Sequence, residues 1–159
     1  MIKFKTFFLA LAFLVLALPA PIYAADEMLY DQIKIQTRDG AEYLFNVELA
    51  LNPAQQAKGL MDRTMLAENA GMLFVFGDEE MRSFWMKDTL IPLDMIFIAK
   101  DGTIRHIHHM ARPQDTAHIT SNKPVSAVLE INGGFADKLG LSEGDKVLNS
   151  VFRNSFLAQ

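Results

Sequence analysis

Asp94 and Glu130 are the residues whose placement most invites chemistry. Each interrupts an apolar run, LDMIFI at residues 93–98 and AVLEI at 127–131, so a strand buried there takes a carboxylate out of water. Two such carboxylates facing one gap could serve as general acid and general base in a hydrolase. Arg63 and Lys87 are the cations that could neutralise Asp94, and Pro92 bends the chain between Lys87 and Asp94. An ion pair pinning that connection is the plainer reading, because buried pairs are weak evidence of activity. For Glu130 the plainer reading is a carboxylate accepting backbone N–H groups around Asn132, Gly133 and Gly134.

Trp85 is the only tryptophan, and on an extended strand it shares a face with Lys87 while Met86 turns the other way. A partly exposed indole beside charged groups is suited to a sugar or another flat polar ligand; a lone tryptophan can equally fill core. Asp88 and Thr89 suit a turn, with Thr89 near enough to Lys87 to share its site. His106, His108 and Met110 alternate, so one strand would point all three to one side, as in exported copper carriers; exposed, solvated histidines have the same pattern. Met61, Met72, Met86 and Met95 lie among apolar neighbours and read as core. No nucleophile with its base, no phosphate loop and no closed metal motif is present, so no cofactor is expected.

The N-terminus bears on location. Lys3 and Lys5 precede an apolar run at residues 7–18, which ends at Pro19 and Pro21 before Ala24. That is the pattern of an export signal cleaved near Ala24, placing the protein in the periplasm or outside the cell. The run is shorter than the roughly 20 residues a membrane span needs, and no cysteine offers a lipid attachment point, so no stable membrane insertion is expected after cleavage. Residues 25–159 then form one domain, with its core at about residues 30–152. Loss of two lysines leaves 13 basic and 19 acidic residues, a net charge of −6 with histidine neutral. An acidic surface opposes nucleic acid and leaves small molecules, glycans or an envelope protein as partners.

The elements that must position these residues are short. Residues 33–37 and 43–49 alternate around Asp39-Gly40, predicting a hairpin with a type I′ turn. Asn52-Pro53 opens a helix of about two turns that Gly59 ends. Strands are predicted at residues 72–76, 82–86, 93–99, 104–110, 125–131 and 146–152, with turns at 69–71, 77–80 and 100–103. A long loop spans 111–124, and a second short helix covers 135–139. Seven to eight short strands with two short helices make a mostly β, largely antiparallel fold, a small barrel or sandwich.

Six segments, GLMDR (59–63), GMLFVF (71–76), FWMKDT (84–89), IPLDMIFI (91–98), VLEINGG (128–134) and GLSEGDKV (140–147), together resemble the bacterial and archaeal family known as domain of unknown function 192. The resemblance spans residues 33–147 and implies a compact, mostly β, often exported domain with no assigned activity. Its motif emphasises Arg63, Trp85, Met86, Lys87, Thr89, Pro92, Asp94 and Glu130, and leaves out the His106, His108 and Met110 row. The expectation is an exported, non-enzymatic binding module. Its pocket would be lined by Trp85 and Thr89, with Arg63, Lys87, Asp94 and Glu130 at the polar end, and would take a small or glycan-like ligand. The alternatives are a paired-carboxylate hydrolase and a periplasmic copper-binding protein.

Overall fold

The computed structural model describes residues 27–154. The expected export signal at residues 1–24 lies outside them. Strands β1 (Leu29–Gln36) and β2 (Glu42–Ala50) form the predicted hairpin. Its turn is not type I′, which needs two central residues at positive φ. Only Gly40 takes one here, at 93°, while the Gly40 N–H donates to the Thr37 carbonyl at 3.0 Å and the Thr37 N–H to that of Ala41 at 2.9 Å. This is the longer hairpin loop, in which glycine closes a bulge.

Helix α1 (Pro53–Lys58) is capped as predicted, with the Asn52 side chain accepting from the Gln55 N–H at 2.9 Å and Gly59 ending it at φ 47°. It belongs to the crossover from β2 to β3 (Ala70–Glu80), which runs parallel to β2. Parallel neighbours cannot be joined by a tight hairpin, which is why residues 51–69 leave the sheet. The other paired strands are antiparallel: β4 (Ser83–Phe84), β5 (Leu93–Ile98), β6 (Ile104–Ala111), β7 (Ile119–Thr120), β8 (Val125–Asn132) and β9 (Lys146–Leu148). Helix α2 (Phe135–Lys138) follows β8.

Seven strands make one sheet in the order β6-β5-β8-β3-β2-β1-β9, and β4 pairs with β7 alone. A bridge between Thr103 and Lys146 brings the two edges of the large sheet together, so it curls into a half-barrel. Several expected boundaries move. Residues 77–80 continue β3 instead of turning, although its pairing with β8 slips between Val75 and Glu80. The strand predicted at 82–86 shortens to β4, and the long loop supplies its partner β7. The last strand stops at Leu148, where Asn149 accepts from the Val151 N–H at 2.9 Å and caps a 3-10 turn, Ser150–Phe152.

Both faces of the sheet are covered. Ile33, Ile35, Val47, Leu73, Ile96, Leu129 and Val147 fill the inside of the curl, and α2 contributes Ala136. Met72, Phe74, Met95, Phe97 and Val128 cover the other face, packed against Leu60 after α1 and Met86 after β4. β5 is therefore buried at all six positions. Gly71, which opens GMLFVF, lies opposite Ile131, and a Cβ there would fall 2.6 Å from the Glu130 carbonyl oxygen. Since that atom is backbone in the middle of the sheet, Gly71→Ala should cost about 1–3 kcal/mol. Urea unfolding should show a lower midpoint at unchanged slope.

Candidate functional site

Sheet register decides what the two strand carboxylates can do. On the β5–β8 ladder Asp94 lies opposite Ile131, and Met95 opposite Glu130. Successive side chains alternate in direction, so Asp94 points inside the curl with Ile96 and Glu130 points out through the other face with Val128. Asp94 and Glu130 cannot share a substrate as acid and base.

Asp94 is fully buried and accepts three backbone N–H groups: Met110 at 2.8 Å, Gly134 at 3.0 Å and Ala136 at 2.8 Å. Neither Lys87 nor Arg63 pairs with it, correcting the expected ion pair. The carboxylate instead ties β5 to the end of β6 and to the start of α2. It takes up N–H groups of the Gly133-Gly134 turn, the task that the sequence offered to Glu130. Met110 is held at φ 51° where the β5–β6 register slips, and that slip brings its N–H to Asp94.

Glu130 is 4 % exposed and, among the described residues, has no hydrogen-bond or ion-pair partner. Its cross-strand neighbours are Met72 and Met95, both fully buried. Burial among them pushes its carboxyl up to about 8, so the acid is largely protonated at neutral pH. The row continues from Met72 to Glu48 on β2, where Arg63 ends: its Nη2 donates to Glu48 Oε2 at 2.7 Å. Glu48 alternates with apolar residues as a solvent-facing residue does, so only the chain covering this face reveals it as a buried partner.

Glu130 lines a cleft of about 550 Å³ between the end of α1 with the residues after it, β3 and the β4 region. Phe74 and Phe76 come from β3, Phe84 and Trp85 from β4 and just beyond, and Thr89 and His118 also reach it. Phe84 stands edge-on to Phe74 at 5.1 Å and to Phe97 at 6.2 Å between ring centres. Trp85 is 47 % exposed, with Lys87 Nζ 5.6 Å from its ring centre. Thr89 is buried, and its hydroxyl donates to the Lys87 carbonyl at 3.3 Å, the expected turn role. Arg82, a wall residue that sequence reading missed, lies over Phe76 at 4.1 Å and pairs with Asp78, while its Nε is buried without a partner. Of the candidate ligand-binding residues, Trp85, Thr89 and Glu130 share the cleft and Lys87 adjoins Trp85. Arg63 is engaged by Glu48, and Asp94 lies on the far face. Phe74, Phe76 and Phe84 looked like ordinary core, and nothing in their spacing marked them as walls.

Two members of the His106, His108 and Met110 row are engaged by neighbours. His106 stacks on Phe97 at 5.7 Å, with Nδ1 3.4 Å from Glu143 and Nε2 3.3 Å from Asn122. The register slip takes Met110 out of alternation and puts its sulfur against Gly133. Burial, with help from His106 and His109, lowers the His108 imidazole pKa against the opposing pull of Asp94. Among the described residues no group of three or more His, Cys, Asp or Glu side chains is placed to hold a metal ion.

A family model described as Uncharacterized ACR, the domain of unknown function 192, matches residues 34–148. The chain belongs to this family. Within the DUF192 fold, a protein from Sinorhizobium meliloti 1021 labelled a candidate transcription regulator is 44 % identical, with a TM-score of 0.77 over 78 % of this chain and 96 % of its own. A protein of unknown function from Novosphingobium aromaticivorans DSM 12444 is 40 % identical, with a TM-score of 0.73 over 83 % and 93 %. No functionally curated protein matches.

Two substitutions separate the carboxylates. Asp94→Asn replaces an acceptor oxygen by an NH₂ that faces backbone donors, so chemical denaturation should show a loss of about 2–4 kcal/mol. Glu130 works in the opposite sense. Its folded pKa lies above the unfolded value of 4.5, so the native state holds the extra proton and stability falls as pH rises from about 4.5 to about 8. Glu130→Gln removes that titration. Urea midpoints at pH 5 and pH 8 should drop less in the variant than in the parent, the variant being more stable at pH 8 by about 2–3 kcal/mol.

Proposed function

We propose that this DUF192 protein is an exported, non-enzymatic binding module whose cleft takes a small or glycan-like ligand. The observation that carries this reading is a half-exposed Trp85 on the wall of a cleft whose base is the unpartnered Glu130 carboxyl. Native proteins rarely leave a buried polar group without a partner, and a ligand that supplies one gains what the fold forgoes. Aromatic walls give area and a flat platform, while one polar group at the base sets orientation. The N-terminal pattern supports export, and among the described residues no helix is long and apolar enough to cross a membrane.

A hydrolytic reading is the weaker one. Glu130 is the only carboxylate lining the cleft among the described residues, and Asp94 faces away. The regulator label of the Sinorhizobium relative is not carried over, since the acidic balance of this chain opposes contact with DNA phosphates.

Because the chain has one tryptophan, its emission reports the cleft without competition. A thermal-shift screen of the purified protein against envelope sugars and other small ring compounds should yield a compound that raises the midpoint and perturbs Trp85 emission together. At a hundred times its Kd it should add about 2.7 kcal/mol to stability. Trp85→Ala should weaken that compound at least about tenfold while changing stability by under about 1 kcal/mol, since the ring is half exposed. A midpoint shift unaltered in Trp85→Ala would place binding elsewhere.

A further inference from the structure

Four titratable residues line the cleft: Lys58, Arg82, His118 and Glu130. Two already have counter-ions, Lys58 with Asp62 at 2.5 Å and Arg82 with Asp78. His118 shares its Nδ1 with the Ser83 hydroxyl at 2.9 Å. On the sheet itself Glu130 has Met72 and Met95 beside it, and the next titratable groups along the row are Glu48, held by Arg63, and His108. Once internal ion pairs are discounted, the lining offers one acid without a counter-ion, Glu130, under a set of aromatic rings, and one unpartnered N–H, the Arg82 Nε. The protein already uses two of those rings as cation platforms, Phe76 beneath Arg82 and Trp85 beneath Lys87.

We propose that the cleft takes a small primary ammonium compound with a flat or ring-shaped body, its ammonium on the Glu130 carboxylate and its ring against Phe84 and Trp85. This rests on the binding-module reading and names the ligand class of that site. An ammonium supplies donors to an acceptor that has none, and its charge compensates the one that burial opposes. The overall acidic charge favours a cation at encounter. Binding exchanges one charge for another: the Glu130 carboxyl gives its proton to solvent as the ammonium enters, and the filled site is neutral.

Matched pairs of probes test this: benzylamine against benzyl alcohol, and glucosamine against glucose, titrated by Trp85 fluorescence. The amines should bind and the alcohols should be at least about tenfold weaker, the difference expected for one charge-assisted hydrogen bond. Only the ionised acid receives the ammonium, so with Glu130 titrating at about 8 the affinity for benzylamine, which keeps its proton over this range, should rise about 50-fold from pH 6 to pH 8. Calorimetry at pH 6.5 in two buffers of different ionisation heat should show close to one proton released per amine bound. His118→Gln should keep this pH dependence. Glu130→Gln should lose both the preference for amines and the proton release, and its retained fold is checked by its urea midpoint. Equal binding of alcohol and amine without proton release would overturn the ammonium assignment and leave the cleft as a neutral-ligand site. Silence from both amines at millimolar concentration would also overturn it, and the broader reading would then rest on the sugar screen.

Discussion

Three backbone N–H groups converging on the Asp94 carboxylate hold together the end of the molecule on which the rest is built. Met110, Gly134 and Ala136 belong to the end of β6, the glycine turn after β8 and the first turn of α2, and they have no other reason to meet. The carboxylate satisfies donors that would otherwise be buried without partners, and the donors offset the cost of burying the charge. Gly133 allows the close approach, since a Cβ there would lie 3.0 Å from both Pro92 and the Met110 sulfur. Pro92 and Gly133 are bonded directly, from the Gly133 N–H to the Pro92 carbonyl at 2.9 Å. IPLDMIFI and VLEINGG thus act as two halves of one joint.

With that joint closed, the β5–β8 register is fixed and Glu130 must leave through the opposite face. A shift of one residue would set Asp94 directly opposite Glu130 and put both carboxylates on one face. The two acids therefore have opposite energetic roles in one ladder. Asp94 accepts three backbone N–H groups and stabilises the fold. Glu130 is unpartnered and protonated over much of the physiological range, and it weakens the fold as pH rises. Folding alone gives no return on such a residue, and this asymmetry is what directs attention to the cleft above it.

Much of the fold was legible in the sequence. Alternation gave β1 and β2, Asn52, Pro53 and Gly59 bounded α1, and apolar runs gave β5 and β8, because these signals are local. The turn at Gly40 was placed correctly but typed wrongly, since only one of its residues takes positive φ. β7 escaped, and β4 was expected too long, because two-residue strands depend on each other across about 35 residues and have no period of their own. Of the candidate site, Trp85, Thr89 and Glu130 were legible as residue types out of place, whereas Phe74, Phe76, Phe84 and Arg82 were not, because an aromatic ring on a wall and one in the core have the same local pattern.

The sequence by itself determined that charged residues are embedded in apolar strands and that the fold is mostly β, because composition and alternation are properties of neighbours along the chain; its six ordered motifs separately carried the resemblance to the DUF192 family. Only the tertiary structure decided which carboxylate is a strut and which is left open, that Arg63 belongs to Glu48, and that the histidine row is broken at Met110. Those outcomes depend on cross-strand register and on which segment covers which face, and both are set by contacts between residues far apart in sequence.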